Sequence, residues 1–347
     1  VERAAWRYAG GTGVTDCPLL AGESDTAGRG SFDILSATIA GTLCQVRVQG
    51  SVTTTTTANA THRVVQADLL LLPSGFSGWA VGKEDGGAAG IAGWDGSNWS
   101  QPGPYAGVPA EELLGVNCVA ADDCWAVGKK DGGNANIIHW DGSSWSSVSA
   151  PAVPDKDLNR VHCVAANDCW TVGKKDGGDA NINHWDGSSW SSITAPAVPA
   201  KDLESVYCAA ANDCWAVGEK DGGNANINHW DGSSWSSVSA PSVPDKTLHS
   251  VYCVTGNDCW AVGQKDGSNV NINHWDGSNW SNVSVPAVPV KDLNSVQCIT
   301  WDDCWAVGKK DGANANIIHW DGSSWTSASA PTVPNEDLKG IHMVIST

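Results

Sequence analysis

The chain has 347 residues, and 38 acidic against 20 basic side chains give it a formal charge of −18. A charge that negative excludes a nucleic-acid or anionic-membrane partner, either of which needs a basic face, and no apolar run reaches the length of a membrane-spanning helix. With 41% hydrophobic residues, only 17% charged ones, 39 Gly, 20 Trp and a single Met, the composition excludes a disordered chain and describes a turn-rich β protein.

The amino end carries no signal-peptide pattern, so any leader is expected to have been removed already. Residues 2–9 read as one or two helical turns, and residues 31–39, 42–52 and 61–72 as three strands of an antiparallel meander. On the second strand Cys44, Val46 and Val48 alternate with Gln45, Arg47 and Gln49; on the third Val65, Ala67, Leu69 and Leu71 alternate with Val64, Gln66 and Asp68. A sheet with one apolar face must bury it, and the short piece around Trp6 is too small a cover. The segment resembles the C-terminal sheet of type IV pilins, minor pilins and pseudopilins. The Gly-Ser-Phe-Asp-Ile start at Gly30, the Cys-Gln-Val-Arg-Val-Gln-Gly strand from Cys44 to Gly50, and Arg63-Val64-Val65 carry that resemblance. In that family a long hydrophobic N-terminal helix covers the sheet and builds a filament core. Here that helix is lacking, which implies that it was trimmed or comes from a separate chain, as in split pilins. The resemblance thus makes Trp6, Val46, Val48, Val65, Leu69 and Leu71 the expected docking residues for such a helix, with self-assembly into a filament.

From residue 76 onward one unit repeats six times. Trp79, Trp125, Trp170, Trp215, Trp260 and Trp305 recur at intervals of 46 and then 45, each inside Trp-Ala/Thr-Val-Gly. A second series, Trp94, Trp140, Trp185, Trp230, Trp275 and Trp320, is always followed by Asp-Gly; a third is Trp99, Trp145, Trp190, Trp235, Trp280 and Trp325. Only Trp6 and Trp301 stand outside the three series. In the unit spanning 158–200, residues 158–164 form a short apolar run and 165–168 a turn. Residues 169–174 follow as a second strand, closed at Asp176-Gly177-Gly178. Residues 180–185 alternate as a third and meet Asp186-Gly187, a strong hairpin signal. Residues 189–194 then run into Pro196-Ala197-Val198-Pro199, which cannot pair as a central strand. Four antiparallel strands in about 45 residues make one propeller blade. The expected fold is all-β: a small pilin-like meander over 1–75 followed by a six-bladed β-propeller over 76–347. Residues 338–344 repeat the first strand, 158–164, and the first copy has only a doubtful first strand of its own at 69–72. The C-terminal strand is therefore expected to complete the first blade, since a lone strand would otherwise be a bare edge.

Ten of the 12 cysteines form Cys-x5-Cys pairs: Cys118/Cys124, Cys163/Cys169, Cys208/Cys214, Cys253/Cys259 and Cys298/Cys304. Each brackets the turn between first and second strands, within disulfide reach across a hairpin, whereas zinc-ligand spacing is absent. Cys17 and Cys44 remain and pair most simply with each other. Such cysteine usage implies an oxidising, extracellular or cell-surface location. The repeats resemble the Cys-x5-Cys-Trp-Ala-Val-Gly propeller repeats of bacterial secreted and surface proteins, a resemblance that speaks to fold and little to function.

No asymmetric constellation suited to catalysis stands out, so the chain is expected to be non-enzymatic, with no catalytic residue, metal or cofactor. His139, His184, His229, His274 and His319 each precede a Trp; each reads either as a ligand or base beside the Asp-Gly turn, or as a strand polar position with a hydrogen-bond partner. Trp140, Trp145, Trp185, Trp190, Trp230, Trp235, Trp275, Trp280, Trp320 and Trp325 flank that turn. They are candidates for stacking on glycans, a multivalent arrangement, and equally for filling the wedge between sheets. The Asp131-Gly132-Gly133-Asn134 loop and its copies read as Ca²⁺ ligands or as tight turns. Arg160 is the sole arginine of the repeat region, which argues against an arginine-triad carboxylate site and hence against a propeller glycoside hydrolase. The function expected is a pilus or surface-filament subunit displaying a propeller for adhesion or as a coat; the alternative is a soluble secreted lectin.

Overall fold

The structure is a computed structural model and describes residues 24–27, 30–40, 43–52, 61–70, 78–85, 88–95, 98–101, 108–285, 288–312, 314–328 and 336–341. Among them every regular element is a β-strand. Two compact units result, residues 1–79 with 93–100 and residues 80–92 with 101–347.

The first unit contains a meander of β1 (Ser24–Ala27), β2 (Gly30–Ala40), β3 (Leu43–Val52) and β4 (Thr61–Leu70), paired in that order. Three of the four strands are those the alternation marks; β1 is added before them. The register sets Cys44, Val46 and Val48 opposite Leu69, Ala67 and Val65 on one side and opposite Ile39, Ala37 and Ile34 on the other. The apolar positions of each strand are thus registered against those of the next. The expected helical turns at 2–9, Trp6, Leu71 and the Cys17 half of a Cys17–Cys44 bridge lie outside the described residues.

Each of the five later repeats forms one four-stranded antiparallel sheet, and the first repeat contributes three strands, Gly78–Asp85, Ala88–Trp94 and Trp99–Ser100. Six such sheets make a six-bladed β-propeller. In the third blade the strands are Leu158–Ala165, Asp168–Asp176, Asp179–Trp185 and Trp190–Ser192. The outer strand is shorter than the sequence suggested, because Asp186–Ser189 form a four-residue connection before Trp185 pairs with Trp190.

Two local features shape the blade. A bulge between Leu158 and Arg160 shifts the register of the inner strand, so Leu158, Val161 and Cys163 all enter the core, beside Trp125 and Ile137 of the preceding blade. The Gly of Trp-Ala/Thr-Val-Gly is required because a Cβ at Gly173 would collide with the Asp157 carbonyl oxygen, where Lys174 N–H donates to that same oxygen at 2.9 Å.

Cys163 and Cys169 sit directly opposite in the first hairpin, and all five Cys-x5-Cys pairs are disulfides. Each bridge brackets the turn between the first two strands, as the spacing implies, and its second cysteine also lies in the core. Cys124, Cys169, Cys214, Cys259 and Cys304, the second member of each pair, are all fully buried. The reason is that each lies on the second strand, paired on both sides: Cys124 faces Cys118 and Trp140, Cys259 faces Cys253 and Trp275, and Cys304 faces Cys298 and Trp320. Cys259 and Cys304 pack there among the Trp and aliphatic side chains that fill the space between neighbouring sheets.

Residues 336–341 run beside the sixth blade without forming a strand. Leu338 N–H donates to Gly308 O at 3.1 Å, Asn294 Nδ2 to Leu338 O at 2.7 Å and Ile341 N–H to Ser295 Oγ at 3.3 Å. Asn159 makes the same bond to Leu203 O, and Ser205 Oγ accepts in the same way from Val251. The segment therefore holds the inner-strand position of a following blade. Of the strand expected at 338–344 to complete the first blade, residues 338–341 form no strand and residues 342–344 lie outside the described residues.

Candidate functional site

The tryptophans meet between blades. Trp125 lies 4.8 Å (ring centroids) from Trp185 and 5.3 Å, edge-on, from Trp190 of the next blade. The same triad recurs around Trp170, Trp215 and Trp260. Trp145, Trp190, Trp235, Trp280 and Trp325 are each 2% exposed. These five are corrected from candidate ligand residues to core, where no sugar can reach their faces, and Trp190, Trp235, Trp280 and Trp325 fill the gap between diverging sheets. Trp140 is buried as well, while Trp185, Trp230, Trp275 and Trp320 are half-buried. Their indole N–H groups are spent on the turn between the first two strands of their own blade, as when Trp185 Nε1 donates to Ala166 O at 3.0 Å.

The repeated histidines are held by carboxylates. His139, His184, His229, His274 and His319 each bond through Nε2 to the Asp that opens the second strand, Asp123, Asp168, Asp213, Asp258 and Asp303, at 2.7–2.9 Å. Each imidazole also lies against the first-series Trp of its own blade, at 4.2–4.4 Å. The strand-position reading therefore describes them, with Asp as hydrogen-bond partner and Trp as floor.

At the Trp-Asp-Gly corner, Asp186 Oδ1 accepts from Ser188 N–H, Ser188 Oγ–H and Ser189 N–H at 2.7–2.8 Å. These bonds, the Ser hydroxyl foremost, pull the carboxyl down to about 2, as at Asp141, Asp231 and Asp321. Gly187 takes φ +90°, and a Cβ there would meet Asn167. The Asp131-Gly132-Gly133-Asn134 segment is a tight hairpin turn, Asp131 pairing with Asn134 and Gly132 at φ +55°.

No protein-family model and no curated protein matches the chain. Among solved structures it is similar to YCF48 bound to D1 peptide, at 17% identity over 74% of this chain and 78% of that one, with TM-score 0.51. It is also similar to the extracellular domain of the hybrid two-component system BT4673 from B. thetaiotaomicron, at 10% identity over 77% of this chain and TM-score 0.52; the chain spans 35% of that protein's length. A chain of the mitotic checkpoint complex matches at 10% identity over 83% of this chain and 90% of its own, TM-score 0.50. The shared feature is the propeller fold.

Two departures from the repeat stand out within the propeller. Trp301 is 64% exposed at a place held by Ala121, Ala166, Ala211 and Gly256 in the other complete blades. Its ring edge lies against the Asp321-Gly322 turn, and its carbonyl accepts the Trp320 indole N–H at 3.1 Å. Its absence from all three tryptophan series was the only signal the sequence held. The second departure is on the inner strands, where Asn117, His162, Tyr207, Tyr252 and Gln297 occupy one repeat position. His162 lies 4.3 Å from Tyr207, and Tyr207 4.5 Å from Tyr252. Burial holds His162 down at about 4 and pushes the Tyr207 hydroxyl up.

Proposed function

We propose that the chain is an extracytoplasmic display protein, in which the meander joins a surface filament through a hydrophobic partner helix and the propeller presents its rim for adhesion. The observation that carries this reading is the disulfide in each of the five complete blades, a pattern that persists in an oxidising compartment. The registered apolar positions of β2, β3 and β4 support attachment through the sheet. The five His–Asp pairs, each engaged with its own blade, suit a scaffold better than a reaction centre, so the reading is non-enzymatic.

Trp301 favours a second reading, a secreted glycan-binding module, because an exposed indole beside hydroxyl and carboxylate groups suits the apolar face of a sugar ring. One set of native material separates the two. Electron microscopy is expected to show filaments that contain the chain, and glycan-array binding, if present, is expected to be unchanged in Trp301→Ala. A dispersed monomer whose glycan binding disappears in Trp301→Ala would replace the filament reading with the lectin.

A further inference from the structure

Arg160 breaks the repeat in its innermost layer. The equivalent positions hold Gly115, Ser205, Ser250, Ser295 and Gly340. In the three serine copies, Oγ accepts the main-chain N–H of Val251 or Val296 on the next inner strand, or of Ile341 in the C-terminal segment, each at 3.3 Å. A guanidinium has donors and no acceptor, so Arg160 cannot make that bridge to Val206. Its side chain leaves the strand on the face opposite Val161 and Cys163, which are built into the core. Among the described residues the guanidinium has no ion pair and no hydrogen bond.

A half-buried cation with no partner among the described residues, which also forfeits a strand-to-strand tie, is a cost at one position of an otherwise regular array. Such departures collect where a ligand supplies the missing partner. The surroundings define that ligand. His162, two residues on, is fixed by its Nε2–H donating to Cys208 O at 3.2 Å and is neutral, so it adds no charge to that of Arg160. From His162 the rings run on through Tyr207 to Tyr252 on the following inner strands, 4.3 and 4.5 Å apart. We propose that Arg160 and this ring stack form a binding site on the inner strand layer for a small monoanionic carboxylate with an aromatic body. Two guanidinium N–H groups match the two carboxylate oxygens. A dianionic phosphate would leave negative charge unmatched in a chain of −18.

The experiment titrates the full chain with benzoate, with neutral benzamide of the same shape, and with inorganic phosphate, at fixed ionic strength, by calorimetry or NMR. Benzoate is expected to bind, and the other two at least about tenfold more weakly. Arg160→Ser is expected to lose about tenfold or more in benzoate affinity, with Arg160→Lys between. Because Ser is the residue the repeat uses here, Arg160→Ser should melt at or above the temperature of the parent chain. Absence of benzoate binding, equal binding of benzamide or phosphate, or unchanged affinity in Arg160→Ser would each overturn the proposal. So would a lowered melting temperature for Arg160→Ser, which would make the arginine a structural residue.

Discussion

His162 couples the inner layer to pH. Burial lowers its pKa from 6.5 to about 4, so between those values the unfolded chain binds a proton that the folded chain refuses. Protonation there favours unfolding, and stability falls as pH drops from 6.5 towards 4, then no longer through this group. The full span amounts to about 3 kcal/mol. Gln297 holds the same position in the sixth blade, so His162→Gln keeps a side chain the repeat already accepts. Denaturant midpoints measured from pH 4 to 7 are expected to vary less in His162→Gln than in the parent, and parallel profiles would refute the assignment. The Asp-Gly turns act in a lower window. With folded values of about 2 against an ordinary 3.8, their contribution is complete above 3.8 and is lost as pH falls towards 2. The two effects therefore separate near pH 4.

Each blade is an element whose first hairpin is closed twice, by its ladder and by its disulfide. Cys208 and Cys214 face each other in that ladder, and both are buried. Removing the bridge frees the unfolded chain of a small loop, worth about 2 kcal/mol in the chain-entropy account. Cys208→Ala with Cys214→Ala is therefore expected to lower unfolding free energy by about that amount, measured in denaturant without reductant; an unchanged midpoint would mean that the strands alone hold the hairpin. Strands, turns and these bridges were legible in the sequence because each depends on neighbours a few residues away. The fate of Trp190 was not: the 45-residue period says that all copies share one environment, while the burial comes from Trp125 of another blade. The third strand hid a similar feature, since Asn181 and Asn183 are fully buried and Asn183 Nδ2 donates to Asn181 Oδ1 at 2.8 Å. Alternation marks both positions as polar and cannot show that they are buried. The inner-strand bulge likewise moves Val161 onto the face of Leu158, which no strict two-residue period anticipates.

Across the whole molecule, repetition turns each inner strand into both a blade's first element and its neighbour's support. Asn159 Nδ2 donates to Leu203 O at 2.8 Å, within the run of complete blades. Asn294 Nδ2 makes the equivalent bond to Leu338 O at 2.7 Å, after the last of them. If residues 338–341 serve as an inner strand, the two bonds have the same surroundings and the same worth. Asn159→Ala and Asn294→Ala should then each cost about 1 kcal/mol, the usual net value of one intramolecular hydrogen bond, within one cooperative transition. Deleting residues 338–347 should cost more than Asn294→Ala, because it also removes the donors at Leu338 and Ile341 and uncovers the sixth blade's inner face. The opposite pattern, a cost for Asn159→Ala with none for Asn294→Ala or for the deletion, would show that the C-terminal segment only rests on the sixth blade and that the ring's stability does not depend on it.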